Sequence, residues 1–592
     1  MRQYLHSNFH FALSHLRNMA VVPSGRTAMI VFALAAMTWF ACAASVYGQS
    51  GTKSDKEKPE KPDKTKAEHP LELPEFVITG VEALDVPGGA KQSPKLPAKL
   101  TTSDLYRFNP LDKISFALLP QTPLPRLSLP AQERSGFLKG EFGMFTTPSI
   151  DAGYHAVLGN FDLNANAGAT FSNGHLLNAD FSDVYGSLKS TYLAPEKFLF
   201  FGGSRTDTYL KSRHRAYKFF GARDTLLPVP NRTALTISGG IQTVGAFEGW
   251  VYDMGANADF LHLTTEGLRF YFPLMENNLL LNGHILGKKV LGEWAFGGSI
   301  DANTQFTGSD LRFAGVILSP TVLTEFRNAS KTTELKLQGG ILASPSFSRI
   351  YPTGRLNAAL HLGSGLALFA HAFSGIRFNS LFSLIAQNPY STAEVFSITS
   401  PVGYYVNYFL YDAHLYLRFQ PSSQLSFTVG AHSEAHQGAI SFVENFIGGI
   451  GGANDSTSIH RIFAETALLL DSSNTLTARI NANFSSSARF GTVPYLAPLE
   501  ASLEYRRYWL PALSTTLTGL YIGDRTNGGL RGLSERRILP AFADIRLHVE
   551  YHFSPQFSIY ARGTNLLNQP IFMWDGYRER GIFAALGAML TF

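Results

Sequence analysis

Between Asp544 and Phe553 the chain alternates without a break. Ile545, Leu547, Val549, Tyr551 and Phe553 fall on one side of a period-two pattern, and Asp544, Arg546, His548, Glu550 and His552 fall on the other. A strand points successive side chains to opposite faces, so these are the two faces of one strand. Five ionisable groups on a single face cannot pack into a dry core, because each would lose its hydration. A wet interior accepts them. The same texture begins near Gly136 and holds to the end of the chain. Phe161, Leu163, Ala165, Ala167, Ala169 and Phe171 alternate with Asp162, Asn164, Asn166, Gly168 and Thr170. Leu476, Ala478, Ile480, Ala482 and Phe484 alternate with Thr477, Arg479, Asn481 and Asn483. Strands with one face to lipid and one to a polar lumen dilute hydrophobicity in this way.

Composition agrees. Charged residues are only 16% and aromatics reach 13%. No run of eighteen apolar residues occurs past residue 50, which argues against helical membrane spans. No sequence repeat supports a propeller or solenoid.

The connections sort into two kinds. Tight ones are Leu158-Gly159-Asn160, Gly363-Ser364-Gly365, Pro421-Ser422-Ser423, Asp471-Ser472-Ser473-Asn474 and Ser554-Pro555; long ones run from Arg205 to Asn231, Phe378 to Tyr408 and Gln437 to Ser458. Short turns on one rim and long loops on the other are what transmembrane barrels show. Pairing strands backward from Phe592 gives about twenty-two, a number the large plugged transporters reach. The fold expected is all-β: a transmembrane antiparallel β-barrel over residues 136–592, with its N-terminus in the periplasm.

The chain ends on Gly587-Ala588-Met589-Leu590-Thr591-Phe592. Gly587, Leu590 and the terminal aromatic Phe592 resemble the closing strand of bacterial outer-membrane barrels, which the barrel-assembly machinery reads. Further motifs resemble the TonB-dependent receptors. Asn565-Leu566-Leu567-Asn568-Gln569-Pro570 followed by Gly576-Tyr577 is similar to that family's last hairpin, and Asn388-Pro389-Tyr390 resembles one of its loops. Glu75, Phe76, Val77, Ile78, Thr79 and Gly80 look like a TonB box, the short strand that pairs with a TonB-like periplasmic protein. The resemblance implies uptake of a small solute with energy coupled through that strand. It also has a gap. Such receptors carry a plug of well over a hundred residues, glycine-rich in signature, between box and barrel. Here 55 proline-rich residues separate Gly80 from Gly136.

The N-terminal part divides by composition. Residues 1–48 read as a secretory signal: Arg26 precedes a mostly apolar stretch from Ala28 to Tyr47. The sole cysteine, Cys42, lies within it, so the mature chain would have no disulfide or thiolate chemistry. Residues 49–73 form a charged, disordered spacer. Residues 74–135 form a mostly irregular, proline-rich periplasmic segment that bears the box-like strand. The net charge of +5 falls to about +2 without Arg2, Arg17 and Arg26, which leaves no electrostatic case for nucleic acid.

Catalytic motifs are not found. No Gly-x-Ser-x-Gly or His-Glu-x-x-His occurs. His548 and His552, four residues apart on one strand face, stand roughly 13 Å apart, too far for one metal, and His432 with His436 fails likewise. Gly448-Gly449-Ile450-Gly451-Gly452 reads as a flexible loop tip. No cofactor, metal or catalytic residue is expected. Arg479, Asp544, Arg546, His548, Glu550 and His552 are expected to face the lumen. The reading is therefore an outer-membrane transport barrel, held in the lipid bilayer of a bacterial outer membrane. The alternatives are a plugless passive porin, or a scaffold whose tail binds periplasmic proteins.

Overall fold

The computed structural model describes residues 134–196, 201–221, 229–267, 274–344, 349–391, 406–444, 449–529 and 536–592. Among them, twenty-two antiparallel strands make one continuous sheet, in agreement with the expected number. The sheet closes on itself. Its first strand (Arg134–Gly143) pairs on one side with the second (Thr147–Leu158) and on the other with the last (Phe583–Thr591). The closing register runs from Phe137↔Thr591 to Gly143↔Ala585. Beyond it, Gly136 and Phe592 exchange two backbone hydrogen bonds of 2.6 and 2.9 Å. Closure leaves no row of unpaired backbone groups, which a lipid environment could not satisfy.

Burial is inverted relative to a water-soluble protein. Ile480 is 47% exposed while its neighbour Asn481 is 1% exposed. Leu415, Ile462, Leu503 and Leu586 are likewise exposed, whereas Asn278, Gln305, His432, Arg461 and Asp544 are covered. Soluble folds bury the first set and expose the second. A barrel with an apolar outer wall and a polar lumen does the reverse. No helix among the described residues is long and apolar enough to cross a membrane.

Most tight turns lie on one rim and most longer connections on the other, with exceptions such as 194–204 and 144–146. Two of the expected long loops are mostly strand. Arg205–Lys218 is a barrel strand, which leaves 219–230 as the connection. Leu425–Glu444 and Ile450–Asp471 are strands of 20 and 22 residues, which leaves only 445–449 between them. A strand of about ten residues spans a bilayer, so this hairpin stands well above the loop-side rim. Its continuity was hidden by a bulge at Gly438 (φ 84°), where the register shifts and the alternation slips by one. The glycine-rich run is corrected with it, because Ile450, Gly451 and Gly452 are paired strand residues rather than a loose tip.

Two small hairpins sit within the loops, Arg525–Thr526 with Ile538–Leu539 and Phe572–Trp574 with Tyr577–Arg578. The one helix of the described residues that bears on the site, α1 (Leu381–Gln387), lies between the thirteenth and fourteenth barrel strands. Ser380 caps it by accepting from the Ser383 amide at 3.0 Å. Leu381, Leu384 and Ile385 form its buried stripe.

Candidate functional site

The loop-side mouth is crossed from wall to wall. Counting around the barrel, Asn379–Ser391 leaves the thirteenth strand (Leu366–Phe378). It packs on the sixth (Asn231–Phe247), seventh (Trp250–Glu266) and eighth (Leu274–Leu291). Leu381 and Ile385 join Ala234, Leu261 and Leu263 in one buried cluster. The Phe382 amide donates to Asn278 Oδ1 at 3.3 Å. Such a path spans the opening instead of following the rim.

A buried arginine holds the far end of this segment. Arg232 is 1% exposed. Its Nη1 donates to the carbonyls of Pro389 and Ser391 at 3.0 and 2.5 Å, its Nε donates to Thr265 Oγ1 at 3.1 Å, and its guanidinium lies 4.5 Å from the Phe219 ring centroid. Tyr217 donates its hydroxyl to the Pro389 carbonyl at 2.6 Å. The Ile450 amide donates to the Tyr390 carbonyl at 2.8 Å. The Asn-Pro-Tyr motif thus sits where three connections meet. Tyr390 stacks on Tyr577 with centroids 3.6 Å apart and meets Tyr217, Phe219 and Phe220 edge-on at about 6 Å. Burial pushes the phenols of Tyr390 and Tyr577 well above their ordinary range, so both stay neutral.

Below the mouth, the lumen wall carries a transverse polar row set by strand register. Asn357↔His371, His371↔His414, His414↔His432, His432↔Arg461 and Arg461↔Asn483 are successive cross-strand partners. Its ends are pinned by His371 Nδ1 to Asn357 Oδ1 at 2.6 Å and Arg461 Nε to Asn483 Oδ1 at 2.7 Å. At its centre the rings of His414 and His432 stack in parallel, 3.8 Å apart. Both direct Nε2 at Asp412 Oδ1, at 3.0 and 2.9 Å. Glu434 lies opposite Asp412 in register and touches His436 at 3.2 Å. A polar recess of about 390 Å³ adjoins this wall, between Asp301, Asn303, Gln338, Arg355 and Arg377.

The residues singled out from sequence fall in separate places. Asp544 is covered, receives the Arg546 Nε at 2.7 Å and accepts from the Asn565 amide at 2.7 Å. That contact anchors the Asn565–Gln569 turn, whose Asn565 and Asn568 hold φ of 48° and 50°, a region asparagine tolerates well. His548 stacks on Tyr560, with ring centroids 5.4 Å apart. Glu550 accepts from Ser558 at 2.8 Å and lies 3.5 Å from His552. Arg479 is opposite Glu465, three strands away from this group. These groups form local pairs along the lumen wall, not one constellation. At the C-terminal end, Leu590 and Phe592 are exposed on the outer wall, while Gly587 sits under the Tyr560 ring, where a Cβ would approach within 2.2 Å. Glu75 to Gly80 lie outside the described residues.

The Asp412–His414–His432 group was not visible along any one strand. Histidines four apart on one strand face stand too far apart to share an ion. Here the convergence comes from residues two apart on one strand facing their partners across the ladder, and only the register reveals it.

No family model matches the chain, and no curated protein matches it. Solved structures do share the fold. The siderophore receptor PirA from Acinetobacter baumannii superposes with a TM-score of 0.61 at 9% identity, over 78% of this chain and 81% of that one. The FrpB iron transporter from Neisseria meningitidis gives 0.59 at 10% identity, over 78% and 82%. The copper transporter OprC gives 0.57 at 11% identity, over 78% and 80%. The barrel therefore shares the fold of these receptors and transporters.

Proposed function

We propose that the chain is a gated transport barrel of a bacterial outer membrane, admitting a small solute through its polar lumen. The carrying observation is the closed 22-stranded barrel with a polar interior, crossed at its loop-side mouth by Asn379–Ser391. The loop rim faces outward and the turn rim faces the periplasm, where both chain ends of the barrel meet. A pore meant only to leak has no use for a pinned, aromatic-sealed crossing. The fold shared with a siderophore receptor, an iron transporter and a copper transporter supports the same reading.

The segment Glu75 to Gly80 supplies the coupling. In sequence, Phe76, Val77, Ile78 and Thr79 are β-forming residues in a proline-rich stretch, and an isolated strand gains nothing over water. Strand addition to the sheet edge of a TonB-like periplasmic protein satisfies it. Replacing Ile78 with Pro removes a ladder donor. The variant should assemble normally into membranes, judged by heat-modifiable migration, yet lose co-purification of its periplasmic partner. If it retains every partner that the native chain captures, the coupling is wrong and a passive porin is the better description.

A further inference from the structure

We propose that Asp412, His414 and His432 form a binding site for one divalent transition-metal ion on the lumen wall. Two imidazoles and a carboxylate already converge. The ligand atoms Asp412 Oδ1, His414 Nε2 and His432 Nε2 all lie within 4.8 Å of one another, and two of the three separations are 3.0 and 2.9 Å. Zinc bound at about 2.0–2.1 Å by nitrogen and oxygen donors needs tetrahedral edges of roughly 3.3 Å. Bringing all three onto one ion takes shifts of about 1 Å and a tilt of the two stacked rings out of parallel, so that both Nε2 lone pairs point at it. Glu434 Oε2, 3.7 Å from His432 Nε2, stands ready as a fourth donor or as the group that orients a bound water.

Charge points the same way. Asp412 and Glu434 are direct cross-strand partners, and like charges directly opposed are destabilising. Among the described residues, their ion-pair partners within 4 Å are histidines alone. With neutral imidazoles the cluster carries two negative charges, which Arg377 acts on from beyond ion-pair distance and which one divalent ion would cancel. His432 is 3% exposed, and its Nδ1 has no hydrogen-bond partner.

The donor set selects the metal class. Imidazole with carboxylate suits zinc, copper(II) or nickel; calcium and magnesium prefer all-oxygen shells. Binding does not depend on the barrel being gated or energised. Only its place on a solute path rests on the transport reading, and a conductance result leaves the metal result untouched.

The test is titration of zinc chloride into the full-length protein in detergent, carrying no polyhistidine tag and stripped with chelator, against a chromophoric competitor. The expected result is one site per chain of micromolar or tighter affinity, weakened at least tenfold by His432→Ala and by Asp412→Asn. His155→Ala, at a surface His–Asp pair on another strand, should bind as the native chain does. Cobalt(II) on the native protein supplies a readout that needs no variant: an intense visible band of a four-coordinate ion is expected. No zinc binding by the native chain, equal binding by both cluster variants, or a cobalt spectrum identical to the aquo ion would overturn the site.

Discussion

Ile480 and Asn481 are chain neighbours with opposite surroundings, and single side chains of this kind decide whether the barrel is read the right way out. Ile480 stands on the exposed outer wall, while Asn481 is enclosed and donates to Glu500 at 3.3 Å. Ile480→Arg should cost about 2–4 kcal/mol near the bilayer midplane, measured by folding into lipid vesicles. Asn481→Ser should cost far less; equal costs would mean that the faces are misassigned. The faces were legible in the sequence because lipid and lumen impose a period of two on every strand. The Asp412–His414–His432 trio was not, because His414 and His432 become neighbours only through a register that no single strand encodes.

The proposed gate is carried by an element. Asn379–Ser391 is held at its far end by the buried Arg232, and hydrogen bonds from a charged group contribute roughly 1.5–3 kcal/mol each. Arg232→Ala should raise amide exchange across residues 379–391 by tenfold or more while leaving exchange in the barrel strands unchanged. Unaltered exchange in that segment would show that the arginine does not hold it. A second contact ties two loop-side connections together, His175 Nε2 to the Arg578 carbonyl at 2.7 Å. Burial holds His175 below the ordinary imidazole range, helped by the charges of Arg580 and Arg578 and opposed by that hydrogen bond. Because its folded pKa is depressed, its contribution is complete above about pH 6.5 and is lost as pH falls through the lowered value. Protease cleavage within 565–582 should therefore rise on acidification below about pH 6. His175→Gln should flatten that dependence. Neither α1 nor the crossing could be read beforehand. Seven residues with five apolar positions fit a short strand as well as a helix; the overlong 437–458 loop came from a bulge, and Arg205–Lys218 was missed because polar residues occupy both of its faces.

At the scale of the molecule, the central claim is a barrel that is closed until something opens it. The expected strand number and the closed sheet were legible because they rest on texture repeated over more than four hundred residues. What governs opening was not, since it depends on contacts between loops far apart in sequence. Single-channel recording in planar lipid bilayers tests the claim most directly, using the purified full-length chain beside Arg232→Ala and a variant lacking residues 381–390. The account predicts a silent native protein and frequent openings once the crossing is released or removed. Steady, large conductance from the native chain, unchanged in both variants, would contradict it.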